Sequence, residues 1–181
     1  MSLRRVCVLC GAAAGAAPEF AAAAAALGDL LARRDCEVVY GGSNSGCMGA
    51  LADGALAAGG RVTGIVPQQL ISSERPHTRL TDLEITADLA SRKQRMFARS
   101  EAIIALPGGT GTLDELLEAL TMKRLGYLAH GIALVNVRGY FDPFVATFDQ
   151  CITEGFADRS QRSLLQVLSA VGEVAGWLDT H

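Results

Sequence analysis

Lysine is almost missing: Lys93 and Lys123 are the only two among sixteen cations in 181 residues. An excess of positive charge is missing too. The formal net charge of −3 excludes a general affinity for nucleic acid, which needs a basic face, so any bound phosphate must be held locally. Half the residues are hydrophobic, yet no uninterrupted apolar run reaches the ~20 residues that cross a bilayer. His77, His130 and His181 stand apart, without metal-ligand spacing. The five cysteines are odd in number, in a chain long enough to build a core without staples, so a disulfide framework is not expected. Cys7-x-x-Cys10 formally matches a redox or half-zinc motif, but it lies inside the strand-like run VCVLC and has no second pair. Buried small residues are the preferred reading. The opening MSLRRVCVLC has a leader's two arginines and apolar run, but that run soon dissolves into Gly and Ala. It reads as the first strand of a cytoplasmic protein. The length predicts one domain over 1–181, continuous from about 3 to 178.

What the chain does have is alternation. Short β-branched runs near 4–10, 36–41, 61–66, 83–86, 101–106 and 131–136 are separated by Ala- and Leu-rich periodic segments near 18–34, 46–58, 88–99, 112–125, 143–154 and 162–178. That pattern predicts an α/β fold in three layers, a parallel sheet of about six or seven strands with helices on both faces. The run Ala21 to Ala26 reads as ordinary helix, because alanine is the strongest helix former and Phe20, Leu27, Leu30 and Leu31 supply an apolar stripe.

In such sheets ligands bind beyond the carboxyl ends of the strands, where the strand order reverses. Three loops expected on that edge are poor in side chains: Cys10 to Gly15, Gly41 to Gly46, and Pro107 to Thr112. A glycine-rich turn entering a helix points free N–H groups at a ligand from the positive end of the helix dipole, which suits phosphate. None of the loops carries the lysine of a Walker A motif, and none reads G-x-G-x-x-G after the first strand. A mononucleotide is the expected guest, and neither a metal nor a cofactor is called for.

After the third loop, Leu113, Leu116, Leu117 and Leu120 recur at i, i+3, i+4 and i+7, which predicts an amphipathic helix with that stripe on the sheet. Asp114, Glu115, Glu118 and Thr121 fall off the stripe. Thr112-x-x-Glu115 also has the form of a capping box, and spacing alone favours that role for Glu115 over catalysis. Upstream, Arg95 and Arg99 read as a solvated face. Arg92 and Lys93 fall early in their helix, so the topology returns Arg92 and Glu115 to one rim, where a cation can meet a phosphate or a sugar hydroxyl.

These residues resemble the LONELY GUY family of cytokinin riboside 5′-monophosphate phosphoribohydrolases. Pro107-Gly108-Gly109-Thr110-Gly111-Thr112-Leu113-Asp114-Glu115 is similar to the family's P-G-G-x-G-T-x-x-E signature, and Arg92-Lys93 stand at the matching distance upstream. Gly41 to Gly49 is similar to its G-G-G-x-x-G-L-M-G segment, and Val135 to Pro143 extends the likeness. The resemblance implies a Rossmann-like homodimer that cleaves the N-glycosidic bond of AMP or N6-substituted AMP, releasing free base and ribose 5-phosphate. By position it implies Arg92 and Glu115 as the catalytic pair. It implies substrate contacts at Glu74, Arg92, Lys93, Gly108, Gly109, Thr110, Gly111, Thr112, Leu113, Asp114 and Thr121. Relatives have carried the label lysine decarboxylase; a pyridoxal-phosphate enzyme needs a Schiff-base lysine, and neither Lys93 nor Lys123 sits in a recognisable cofactor motif. The chain departs from the family at Gly11-Ala12-Ala13, where G-S-S is usual, and at Leu89-Ala90, where M-H is usual. A non-catalytic nucleotide-binding or carrier module of the same fold is the alternative, because the same loops suit both.

Overall fold

Each strand of a sheet covered on both faces must be apolar on both sides, and the short β-branched runs that form the middle of the sheet meet that demand. The computed structural model describes residues 4–180, apart from the side chains of Ser73 and Glu74. Residues 1–3 and 181 of the expected domain lie outside that range. Seven strands form one parallel sheet: β1 (Arg4–Leu9), β2 (Cys36–Tyr40), β3 (Val62–Pro67), β4 (Asp82–Thr86), β5 (Ala102–Ala105), β6 (Gly131–Val135) and β7 (Gln166–Leu168). Their order is β4-β3-β2-β1-β5-β6-β7. The helices are α1 (Pro18–Arg33), α2 (Gly46–Ala57), α3 (Ile71–Glu74), α4 (Leu89–Ala98), α5 (Thr110–Arg124), α6 (Asp142–Thr153) and α7 (Val174–Thr180).

Period-two alternation divides the strands between two cores. Val6, Val8, Val38, Tyr40 and Ile104 pack with α1, α2 and α7. Cys7, Leu9, Val39, Ile65, Ile103 and Leu134 pack with α4 and α5 on the other face. Cys7 and Cys10 belong to opposite cores, as an odd separation along extended chain dictates, so they cannot chelate one ion together.

The alanine run of α1 has a packing role beyond propensity. Its small side chains let α2 approach so closely that a Cβ on Gly28 would stand 2.2 Å from the Leu51 carbonyl oxygen and 2.7 Å from the Ala55 nitrogen. Both obstacles are backbone and cannot swing aside. Gly28→Ala gains about 1 kcal/mol of helix propensity, but overpacking costs typically ~1–3 kcal/mol. The expected result is net destabilisation, read as a lower denaturant midpoint with an unchanged m-value.

Three expectations need correction. The segment 162–178 is not one helix: a 3₁₀ turn at Arg159–Leu164, strand β7, a second 3₁₀ turn at Val171–Glu173 and α7 divide it. Leu117 is 49% exposed, and the buried side of α5 is Thr112, Glu115, Leu116, Ala119 and Leu120. Arg95 and Arg99 are not merely solvated, since both pair with Glu84 on the neighbouring edge strand β4, Arg99 at 2.8 Å. Burial raises the Glu84 carboxyl, but the two guanidiniums outweigh it and hold the group below its ordinary range.

Candidate active site

Strand order reverses between β1 and β5: β2, β3 and β4 extend to one side, β6 and β7 to the other. The carboxyl ends there open into a cavity of about 630 Å³, within the ~300–1,000 Å³ range of small-ligand sites. Its lining draws on the loop after β1 (Cys10 to Gly15), the loop after β5 (Pro107 to Gly109) and the start of α5. Arg92, Lys93 and Leu89 of α4 contribute, as do Phe20, Met48, Leu70 and Tyr140.

The third loop enters its helix two residues earlier than the spacing predicts. Gly109 is the N-cap, in extended conformation and with no side-chain cap, and α5 starts at Thr110. Thr112 is therefore inside the first turn and cannot cap. Glu115 is released from the capping role and lies buried, 6% exposed, with Oε1 accepting from Arg92 Nη2 at 3.1 Å. A true capping box sits one helix upstream. Asp88 Oδ1 accepts from Ser91 N–H at 2.7 Å, and Ser91 Oγ accepts from Asp88 N–H at 3.1 Å. That box sets where α4 begins and hence where Arg92, 5% exposed, enters the site.

The second glycine loop supports more than it lines. Gly41, Gly42 and Ser43 are buried, and a Cβ on Gly41 would meet the Arg92 guanidinium at 2.5 Å. Absence of a side chain there makes room for Arg92, while only Cys47 and Met48 from the following turns reach the cavity wall. Chain beyond β3 buttresses the loop: His77 N–H donates to Gly42 O at 2.9 Å, and Asn44 N–H to Arg75 O at 3.2 Å.

Lys93 is held at the rim by two carboxylates, Asp114 at 2.8 Å and Glu118. Their hydrogen bonds, first that of Asp114, push its ammonium above the ordinary lysine range, which keeps it protonated and poor as a Schiff-base nucleophile. Partial burial lowers Lys123, but that residue is outside the cavity lining. The Cys10 thiol is at the wall, and burial above all raises it far above its usual value, so it stays neutral.

Of the residues singled out by sequence, Arg92, Lys93, Gly108 to Thr112, Asp114 and Glu115 converge on this cavity. Leu113 and Thr121 do not line it. Thr121 is eleven residues beyond the start of α5, roughly 16 Å along its axis. Glu74 closes α3, and its side chain lies outside the described residues, as does His181. Sequence reasoning missed Phe20, Leu70, Leu89 and Tyr140. Parallel topology offered a signal for Tyr140, since the loop after β6 must emerge on the same edge.

The chain has relatives among known proteins. A protein family described as "Possible lysine decarboxylase" matches residues 48–177. A probable cytokinin riboside 5′-monophosphate phosphoribohydrolase of Oryza sativa subsp. japonica is 41% identical over 161 residues, 89% of this chain and 72% of that one. A cytokinin riboside 5′-monophosphate phosphoribohydrolase of Arabidopsis thaliana is 34% identical over 178 residues, 98% of this chain and 84% of that one. Among solved structures, the molybdenum cofactor carrier protein of Chlamydomonas reinhardtii superposes with a TM-score of 0.75 at 21% identity, covering 98% of this chain and 96% of its own. The molybdenum cofactor binding protein of Rippkaea orientalis gives 0.76 at 20% identity, covering 99% and 98%. At that identity both speak for the Rossmann-like fold alone. The decarboxylase description is a historical misnomer beside relatives named as phosphoribohydrolases, and the chain belongs to their family, the LONELY GUY family.

Proposed function

We propose that this protein hydrolyses the N-glycosidic bond of a nucleoside 5′-monophosphate, AMP or an N6-substituted AMP, releasing free base and ribose 5-phosphate. The observation that carries the reading is a buried Arg92–Glu115 pair lining the same cavity as an amide-rich helix start. The two features suit the two ends of ribose 5-phosphate. Phosphate sits on the N–H groups at the start of α5, favoured by the helix dipole. Glu115 faces the ribose instead, because its charge would repel the phosphate. As the C1′–N bond breaks, its electron pair leaves with the base and positive charge develops on the sugar, which a nearby carboxylate stabilises. Water completes the balance, its hydroxyl adding to C1′ and its proton going to the base. Glu115 orients that water, and Arg92 fixes the carboxylate while meeting ribose or phosphate.

The reading includes a homodimer, supported by the exposed apolar side chains Leu117, Leu125 and Tyr127 on and just after α5. It also includes a reducing, cytoplasmic setting, supported by five free thiols. The test is incubation with AMP and with N6-isopentenyl AMP, following base and ribose 5-phosphate by chromatography. Base released from either supports the hydrolase. Binding of both without release of base would favour a nucleotide-binding module instead.

A further inference from the structure

An anion needs N–H groups and must not meet bare carbonyl oxygens, yet every residue of a peptide loop brings one of each. The start of α5 solves half of this by helix geometry. With Thr110 as its first residue and Gly109 as its N-cap, the N–H groups of Gly109, Thr110, Gly111 and Thr112 have no intrahelical acceptor. The carbonyls are dealt with one at a time. Pro107 O accepts from Gly11 N–H and Gly109 O from Leu113 N–H, each at 3.2 Å. Between them, Gly108 O accepts from a side chain of a different loop, the Tyr140 hydroxyl.

Tyr140 is built into place for this contact. Its ring stands edge-on to Phe20 at 6.0 Å and to Phe141 at 5.1 Å between centroids. Phe141 is fully buried, and its N–H donates to Asn136 Oδ1 at 2.7 Å. Asn136 Nδ2 in turn donates to Asp142 Oδ1 at 2.6 Å. Arg138 adopts the left-handed region, φ 57°, and its guanidinium ties the loop to α1 through Glu19 at 2.6 Å. Three anchors thus fix one tyrosine whose ring also lines the cavity.

We infer that Tyr140 is a positioning residue for the substrate phosphate: its hydroxyl saturates the Gly108 carbonyl, so the loop meets the anion with N–H groups and no bare oxygen. The inference rests on the nucleotide reading of the cavity. Tyr140→Phe removes the hydroxyl and keeps the ring between Phe20 and Phe141. Calorimetric titration of wild type and Y140F with AMP, and with adenosine by competition, tests it alongside the kinetics. The dissociation constant and KM for AMP are expected to rise about 2- to 10-fold, the span of one lost hydrogen bond. Adenosine affinity and kcat at saturating AMP stay within about 2-fold, because neither depends on the phosphate cradle. Equal AMP affinity for both proteins would overturn the inference. So would equal weakening toward AMP and adenosine, which would make Tyr140 a packing residue only. Failure of wild type to release base would instead remove the hydrolase reading and leave this difference in binding measurable.

Discussion

Glu115→Gln is expected to abolish most turnover while leaving AMP bound. Replacing a carboxylate oxygen by an amide removes the negative charge and keeps size, planarity and one acceptor. The amide oxygen can still accept from Arg92 Nη2, which donates to Glu115 Oε1 at 3.1 Å. What disappears is stabilisation of positive charge on the sugar and the capacity to orient or deprotonate water, effects worth typically 10²–10⁴-fold. Single-turnover release of adenine should therefore fall by about that factor. The AMP dissociation constant should stay within a few-fold, because phosphate binding belongs to the amides at the start of α5. Both are measurable on one preparation, and a variant with full turnover would sink the assignment. The structure removes the main competing role for this residue. Gly109 and not Thr112 is the N-cap, so Glu115 lies beyond the third helical position from which a capping-box carboxylate reaches back.

That reversal shows what the sequence can and cannot convey. Thr112-x-x-Glu115 has the letters of a capping box, but a helix start can slide along the chain without changing the apolar period. A slide of three residues, from an N-cap at Thr112 to one at Gly109, moves Glu115 from the cap to the cavity wall. The central strands were legible because both-face burial imposes short apolar runs, as in β2, β3, β5 and β6, whereas the edge strand β4 is largely exposed and was read from its Leu-Glu-Ile-Thr alternation. The seventh was not. Leu164, Val167, Val171, Val174 and Leu178 repeat at helical spacing, yet Gln166–Leu168 is drawn into the sheet by the open edge of β6, where Val135 pairs with Leu168. Tertiary hydrogen bonding overrides a local period there. The glycine loops were located on the right edge, but glycine serves equally where a ligand approaches and where a neighbour does. Nothing in GGSNSG says that Gly41 makes room for the Arg92 guanidinium.

Arg92→Met should behave differently from Glu115→Gln, and the contrast separates chemistry from support. Both partners of this ion pair are nearly inaccessible, with side chains 6% and 8% exposed. Removing the guanidinium takes a countercharge from a carboxylate in a poorly hydrated place, and breaking a buried pair from one side costs ~3–5 kcal/mol. Turnover falls as well, but here the fold pays first. A buried carboxylate that has lost its cation sheds that penalty by taking up a proton, since burial favours the neutral acid. Proton uptake by the native state that the unfolded chain does not share makes stability fall as pH rises. Denaturant unfolding should accordingly show the R92M deficit small near pH 4.5 and growing toward pH 7.5, in the sense opposite to a carboxylate stabilised by a cation. The double variant R92M/E115Q removes the charge outright. It should regain most of the lost stability at pH 7.5 and lose the extra pH dependence, while remaining inactive. If R92M is as stable as wild type at neutral pH, the pair carries no structural weight and Arg92 serves the ligand alone. If the double variant is no better than R92M, the cost lies in losing the guanidinium from its place beside Gly41 instead of in the lost countercharge.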